Sequence, residues 1–145
     1  MEKPKIRKVI GSFEKVSFPD LGLKDVIAKI DTGATSGSLH ATAIEEVKLP
    51  TGEKALRFLP YGHKPPVLVE SYKQVEVRSS NGETTLRYSI PTTIVIQGIQ
   101  YPIRITITDR TLMKKGVLVG RRFLRRHGFV VDVKKGTKYR GEVKQ

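Results

Sequence analysis

The stretch Val26–Ala34, with the sequence VIAKIDTGA, is the segment from which the fold can be read most directly. It consists of a short apolar strand that runs into Asp31-Thr32-Gly33. A buried strand that ends in this way delivers a carboxylate to a sharp turn, and Gly33 allows backbone or substrate to approach closely. Such a carboxylate activates water when a second carboxylate shares its proton. Asp-Thr-Gly is also ordinary turn chemistry, so the tripeptide alone favours a structural turn.

A second segment, Val117–Leu124, lies near the other end of the chain and has the sequence VLVGRRFL. It combines an apolar strand, Gly120 and the start of a short helix. We predict that this helix covers Arg121–His127 and is closed by Gly128, because glycine favours the left-handed conformation that ends many helices. The chain then returns to a strand over Phe129–Val133.

The residues between these two segments follow the pattern of short strands, with apolar and β-branched residues at alternating positions. Asn81-Gly82 predicts a hairpin turn that joins Gln74–Arg78 to Thr84–Ile90. A second hairpin is predicted around Gly98. The chain is therefore predicted to be all-β, with one short helix, in a small closed or nearly closed barrel. The remaining predicted elements are strands at Ile6–Ile10, Thr92–Ile96 and Ile103–Thr108, an extended stretch at Leu39–Leu49 and a loop at Pro60–Pro66.

Length and composition limit the class of protein. A chain of 145 residues fits one compact domain, which we place at residues 1–133, followed by a basic tail at 134–145 that is expected to be solvated or disordered. The sequence contains no cysteine, which excludes disulfides, thiolate catalysis and cysteine-bound zinc. It also lacks the long apolar run of a membrane span and the apolar centre of a signal peptide. We therefore expect a cytoplasmic protein with no membrane partner.

Positive charge is the strongest feature of the composition. The chain has 27 lysine and arginine residues against 14 aspartate and glutamate residues, which gives a formal net charge of +13. Such a field attracts anionic partners and speeds their approach. The charge therefore favours an anionic partner, for which nucleic acid, the ribosome surface, anionic lipid and an acidic peptide are the candidates.

Together, the two segments resemble the retropepsins, in which a hydrophobic strand ending in Gly-Arg leads into a helix beneath the catalytic loop. Most of the chain, residues 6–133, is also similar to a bacterial retropepsin-like family that carries the label ATP-dependent zinc protease. The resemblance implies that Asp31 is the catalytic carboxylate and that Thr32, Gly33 and Ala34 support the active-site loop. The motifs that carry it are Ala28–Thr35, Ser38–Ala41, Arg78–Gly82 and Ile107–Arg110.

The resemblance also implies a homodimer, because the sequence has a single Asp-Thr-Gly and is too short for a two-lobed pepsin. Asp31 from each subunit would meet at a two-fold axis and share one proton. Gly120 and Arg121 are expected to support the site from below. In viral retropepsins an acid after the motif pairs with this arginine, but Thr35 stands at that place here. We therefore predict Asp109 as the partner of Arg121.

The family is associated with enzymes that add glutamates to a ribosomal protein, so the resemblance suggests an acidic or polyglutamate-tailed protein as the substrate. A single histidine such as His40 is more often a structural side chain whose hydrogen bonds are made within the protein. Arginines on a helix, such as Arg122 and Arg125, equally fit a solvent-exposed face. Either the loop at Tyr61–Pro66 or the Asn81-Gly82 hairpin is expected to cover the site as a flap. The candidate substrate contacts are Thr35, His40, Arg122 and Arg125.

Two other functions remain open from the residues alone. Small basic β-barrels often bind nucleic acid, so a non-catalytic RNA- or ribosome-binding module is one alternative. A zinc-dependent peptidase, as the family label states, is the other. Three scattered histidines do not form a zinc site by themselves, and the sequence has neither a His-Glu-x-x-His helix nor a phosphate-binding Gly-x-x-x-x-Gly-Lys-Ser/Thr loop. We therefore predict no metal and no cofactor.

Overall fold

The computed structural model describes residues 8–79 and 81–141. Within these ranges the chain forms eleven β-strands and one α-helix, together with 3₁₀ turns at Pro19–Leu21 and Thr137–Tyr139. The helix, α1, covers Arg121–Arg126. The strands are β1 (Lys8–Gly11), β2 (Phe13–Phe18), β3 (Leu23–Asp31), β4 (Gly37–Lys48), β5 (Lys54–Pro60), β6 (Val67–Val69), β7 (Lys73–Arg78), β8 (Thr84–Ile96), β9 (Ile99–Thr108), β10 (Val117–Gly120) and β11 (Phe129–Asp132).

Six of these strands form a closed ring in the order β10, β3, β2, β8, β9 and β4, and the pairing of β10 with β4 completes it. β10 runs parallel to β3 and antiparallel to β4. β5 and β6 continue the sheet from β4, β7 pairs with β8, and β1 and β11 form a separate parallel pair. The predicted all-β class with one short helix is therefore confirmed, and the expected barrel takes the form of this ring.

The core fills the inside of the ring, because alternate residues of each strand point inward. On β8 and β9 these residues are mostly isoleucines, whose branched side chains pack well against the pleated surface of a sheet. Ile90, Ile94 and Ile105 are fully buried. Removing each such side chain from water stabilises the fold by roughly 1.5–3 kcal/mol. The core extends to β5, where Leu56 and Phe58 are also fully buried.

β8 is a single strand of 13 residues, although the sequence pattern predicted separate strands before and after Pro91. Its first half pairs with β7 as far as Ser89, and its last residues, Val95 and Ile96, pair with β2. Between these two pairings, β9 is the one neighbour among the described strands. The missing N–H of Pro91 can therefore face an open edge, where no ladder hydrogen bond is lost. As a result, both predicted hairpins share one strand.

The other predicted elements agree with the structure apart from small differences at their ends. The helix ends at Arg126 rather than His127, and Gly128 adopts the predicted left-handed conformation, with a φ of 72°. The predicted first strand is observed from Lys8 onward, and its residues 6 and 7 lie outside the described ranges. The strands β2, β5 and β6 were not predicted.

Residues 134–141 pack against the start of the described chain and against the segment before β10. The N–H of Ser12 donates a hydrogen bond to the carbonyl of Lys135 at 2.9 Å, and the Lys115 ammonium donates to the carbonyl of Tyr139. Residues 142–145 lie outside the described ranges, and the domain limit at residue 133 stays a prediction. In the described part of the chain, no helix is long and apolar enough to cross a membrane.

Leu56 and Leu68 provide a matched test of the core, because they lie on the neighbouring strands β5 and β6 and differ in burial. Leu56 is fully buried, whereas Leu68 is 55% exposed. We expect Leu56→Ala to lower the free energy of unfolding by about 2–5 kcal/mol, since it removes buried methyl groups and leaves a cavity. Leu68→Ala should change it by about 0.5 kcal/mol or less. Urea unfolding measures both values, and equal losses would contradict the assigned core.

Candidate active site

Asp31 is the last residue of β3, and it lies partly exposed at the start of a sharp turn. The N–H of Gly33 donates a hydrogen bond to Asp31 Oδ1 at 2.9 Å. The N–H of Ala34 donates to the Asp31 carbonyl at 3.2 Å. The first bond orients the carboxylate and the second closes the turn, on which Thr32 is exposed. The arrangement gives Asp31 a fixed direction while leaving it accessible.

β10 brings Gly120 beside Asp31, because the two residues are paired in the parallel register of β10 and β3. The turn after Asp31 folds closely over Gly120. A Cβ atom on Gly120 would lie 2.7 Å from the Ser36 carbonyl carbon and 2.9 Å from the Ala34 carbonyl oxygen. Glycine is therefore required by this close approach of backbone, which explains why the apolar strand ends in Gly-Arg.

The same turn caps the start of α1. The first N–H groups of a helix have no partner within the helix, and Gly120, at the N-cap position, has no side chain to supply one. Here the N–H of Arg121 donates to the Ala34 carbonyl at 2.8 Å, and the N–H of Arg122 donates to the Thr35 carbonyl at 3.1 Å. The helix and the turn therefore hold each other in place.

The Arg121 side chain adds two contacts to the turn. Its guanidinium donates to the Gly33 carbonyl at 3.1 Å and to Thr35 Oγ1 at 3.0 Å. The predicted pairing of Arg121 with Asp109 is therefore wrong, because a carbonyl and a hydroxyl take the place of the missing acid. Asp109 is exposed after the end of β9 and accepts hydrogen bonds from the N–H and the hydroxyl of Thr111.

His40 is buried on β4. Its Nδ1 accepts a hydrogen bond from the N–H of Arg110 at 2.9 Å, so the ring proton of the neutral form lies on Nε2. Asp109 Oδ1 is 3.8 Å from the same Nδ1 atom, which is too far for a hydrogen bond. The ring also makes an edge contact with Tyr61. These contacts favour a structural part for His40 over a contact with substrate.

A cleft of about 980 Å³ opens beside the turn. Of the predicted substrate contacts, Thr35 and Arg122 line it, whereas His40 and Arg125 do not. Among the described residues, the cleft is lined by seven basic side chains and one acidic side chain, that of Glu76. The basic residues are Lys73, Arg78, Arg87, Arg104, Arg110, Arg122 and Arg126.

The walls of the cleft come from distant parts of the chain. One wall runs from Gly33 to Ser38 and starts two residues after Asp31. Another is the β7–β8 hairpin, to which both strands contribute residues. None of the described residues 61–66 lines the cleft. Of the two predicted flaps, the Asn81-Gly82 hairpin is therefore the one that lies beside it.

Sequence reasoning missed most of the basic residues of the cleft. A signal for them is present on β9, where Arg104 and Thr106 alternate with Ile103 and Ile105. This alternation places polar and apolar residues on opposite faces of the strand. It does not show which other strands share the polar face, and for that reason the cleft itself could not be predicted.

The other two histidines of the chain lie in different surroundings. His63 is exposed after the end of β5, and the ring of His127 packs against Tyr101. Within residues 8–79 and 81–141, no three His, Cys, Asp or Glu side chains lie close enough together to hold a metal ion. The described residues therefore do not fit the zinc that the family label implies.

Comparison with known proteins identifies a matching family and a solved structure of similar fold. The family model of the RimB-like proteins matches residues 9–139. The description of this family is "Retropepsin-like aspartic endopeptidase RimB". The chain belongs to this RimB-like family. The resemblance to retropepsin-like proteins that was predicted from the sequence is therefore confirmed. The crystal structure of Lpg0085 from Legionella pneumophila, a protein of unknown function, is similar with a TM-score of 0.69 and 27% sequence identity, covering 88% of this chain and 94% of that chain.

Curated relatives match this chain over part of their own length. A protein of Shewanella pealeana named "Probable alpha-L-glutamate ligase" is 33% identical over 119 residues, which cover 78% of this chain and 26% of that protein. A protein of Parasynechococcus marenigrum with the same name is 32% identical over 126 residues. The RimB-like chain thus spans about a quarter of the length of these relatives.

We expect Gly120→Ala to damage both the fold and the site, because the new Cβ atom would meet backbone rather than a flexible side chain. The free energy of unfolding should fall by about 1–3 kcal/mol or more, as at other overpacked positions. Gly141→Ala is the matched control, since nothing lies within 4 Å of a Cβ atom at that position. Thermal unfolding compares the two variants. Equal melting temperatures would show that the turn and β10 do not pack as described.

Proposed function

We propose that this chain is an aspartic peptidase that hydrolyses peptide bonds in an acidic protein segment, using two Asp31 side chains brought together in a homodimer. One observation carries the proposal: a partly exposed carboxylate is held at the end of β3, beside a cleft to which the described residues contribute seven basic side chains and one acidic side chain. Membership of the RimB-like family supports the peptidase activity.

A homodimer is needed because each chain supplies a single Asp-Thr-Gly turn. Asp31 is partly exposed, so the same residue of a second copy can reach it. A two-fold axis between the two carboxyl groups makes the contact identical from both sides. The hydrogen bonds of Gly33 and Arg121 fix the turn within each subunit, so that two turns can meet without rearrangement.

The two carboxyl groups would act as one acid–base pair. Carboxylates about 3 Å apart cannot both be ionised, so the pair holds one proton. The ionised Asp31 takes a proton from water, whose oxygen attacks the scissile carbonyl carbon, while the protonated Asp31 donates a hydrogen bond to the carbonyl oxygen. Collapse of the tetrahedral intermediate breaks the C–N bond, and the leaving amine takes up a proton from the pair.

The charge of the cleft supports an acidic substrate. Basic side chains in a cleft raise the local concentration of anions and speed their binding. The relatives named as glutamate ligases suggest glutamate as the acidic component, because a peptidase that removes glutamates would act on the product of such a ligase. A glutamate-rich tail on another protein, such as a ribosomal protein in the cytoplasm, is therefore the proposed substrate.

A non-catalytic RNA- or ribosome-binding module is the second candidate, because a basic cleft also fits a phosphate backbone. Phe123 is the one aromatic residue that lines the cleft in the described part of the chain, and it is buried. The cleft therefore offers no exposed ring on which bases would stack. RNA binding that weakens steeply with salt, without peptide cleavage, would favour this candidate.

Activity that is lost in chelator together with bound zinc would favour a zinc-dependent peptidase.

The direct test is cleavage of a glutamate-rich peptide, followed by mass spectrometry of the products. Asp31→Asn keeps the size of the side chain but removes the base, so cleavage should fall by about 10²–10⁴-fold. Asp25→Asn is the matched control, because Asp25 is exposed on the same strand and asparagine tolerates its φ of 54°. Equal cleavage by the wild-type protein and Asp31→Asn would remove Asp31 from the mechanism.

Mixing the subunits tests whether two copies share one site. If both carboxyl groups are needed, exchanged equal amounts of wild-type and Asp31→Asn subunits should give about one quarter of the activity of the same total amount of wild-type protein. A site contained within one subunit would give about one half. Dilution should also lower the activity per subunit as the dimer dissociates, and sedimentation at the same concentrations reports the oligomeric state.

A further inference from the structure

Arg87 and Arg110 differ from the other basic residues of the cleft. Both are partly buried, whereas the other five basic side chains are exposed. In the described part of the chain, neither forms an ion pair with a carboxylate. A charge that is partly removed from water is normally paired, because burial without a partner costs free energy. Two such guanidinium groups in one cleft therefore point to a ligand of opposite charge.

The floor of the cleft is also polar. Ser38, Thr106 and Ser89 lie side by side on β4, β9 and β8, and all three line the cleft. The Thr106 hydroxyl donates to the Gly37 carbonyl at 2.9 Å, but Ser38 Oγ is buried without a hydrogen-bond partner among the described residues. Buried polar atoms are rarely left without a partner. The cleft therefore has hydrogen-bonding capacity that the protein itself does not use.

Arg110 is held in one position by contacts on its backbone and its Nε atom. Its backbone N–H donates to His40 Nδ1 at 2.9 Å, and its Nε–H donates to the Lys115 carbonyl at 3.2 Å. Its two terminal nitrogens have no hydrogen-bond acceptor within the described ranges, and the side chain lines the cleft. Burial lowers the pKa of the Arg110 guanidinium, and the positive charge of Arg87 lowers it further. Arg87 and Arg110 thus bring two positive charges to the same cleft.

We propose that Arg87 and Arg110 form a carboxylate-binding subsite, the arginine subsite, which selects an acidic side chain of the substrate away from the scissile bond. A guanidinium group matches a carboxylate with two parallel hydrogen bonds. A carboxylate bound in the cleft also offsets the positive charge that both arginines bring to it. The identity of the ligand as a peptidase substrate rests on the proposed function, but the binding chemistry does not, because a carboxylate binds whether or not the peptide is cleaved.

Binding without cleavage provides the first test. A fluorescein-labelled oligoglutamate peptide is titrated with Asp31→Asn protein, with and without Arg87→Gln, and fluorescence anisotropy gives the affinity. Loss of a charged hydrogen bond should weaken binding by about tenfold or more. Arg57→Gln is the matched control, because it removes the same charge from an exposed residue outside the cleft. Equal weakening by Arg87→Gln and Arg57→Gln would reveal a general charge effect and overturn the arginine subsite.

Cleavage of a peptide series provides the second test. Each peptide replaces one glutamate with glutamine, and at one position the wild-type enzyme should cleave the glutamate form with the higher kcat/KM. Arg87→Gln should lower kcat/KM for that form by about tenfold, mainly through KM. It should leave the glutamine form nearly unchanged. A loss of the same size for every peptide would contradict selection of one acidic side chain.

Arg110→Lys tests the second arginine with its charge retained. Lysine cannot form two parallel hydrogen bonds with a carboxylate, so the affinity for the oligoglutamate peptide should fall although the net charge is unchanged. Thermal unfolding is measured in parallel, because Arg110 also bonds the Lys115 carbonyl. Unchanged affinity in a folded Arg110→Lys protein would exclude Arg110 from the subsite. If this variant does not fold, Arg87→Gln decides the inference.

The two tests separate the arginine subsite from the proposed peptidase activity. If the wild-type protein does not cleave but Arg87→Gln selectively weakens peptide binding, the peptidase proposal fails and the arginine subsite stands. If the protein cleaves peptides but its preference for glutamate does not depend on Arg87, the subsite fails and the peptidase proposal stands.

Discussion

The contact between Gly120 and the turn after Asp31 is the constraint on which the rest of the site depends. Because Gly120 has no side chain, the carbonyls of the turn lie directly over the end of β10 and accept the first N–H groups of α1. The same approach places the Arg121 guanidinium against Gly33 and Thr35. The absence of a Cβ atom at Gly120 therefore lets the turn after β3, from the first part of the chain, pack closely against β10 and α1, from its last part.

Rigidity would matter more for the shared site of the proposed homodimer than for a site within one chain. A carboxylate that must meet its own copy across a symmetry axis has to be held within about half an ångström of the productive position. β3 meets this requirement because it lies between β2 and β10 in the closed ring, with Ala28 and Ile30 buried in the core. The turn then adds the bond from Gly33 to the carboxylate itself. The ring of strands thus fixes the position of Asp31.

The parts of the fold and site that could be predicted from the sequence are those whose signals lie in neighbouring residues. The strand before Asp31, the glycine that ends α1 and the hairpin turns all belong to this class. The contacts of Arg121 could not be predicted in this way, because the Gly33 carbonyl and Thr35 become its neighbours only after β10 pairs with β3. The cleft could not be predicted for the same reason, because its basic residues come from β7, β8, β9, the loop after β9 and α1, which meet only through long-range pairing.

The charge of the cleft is difficult to explain by stability alone. Seven cations in one cleft repel each other, and Glu76 is the one acidic residue that lines it in the described part of the chain. Such repulsion costs stability, and it is relieved when a ligand supplies the opposite charge. In the proposed homodimer, symmetry places one such cleft on each side of the Asp31 pair. An extended segment with carboxylates on both sides of the scissile bond would neutralise both clefts, whereas a single acidic side chain would neutralise one. The site therefore fits a run of acidic residues better than an isolated one.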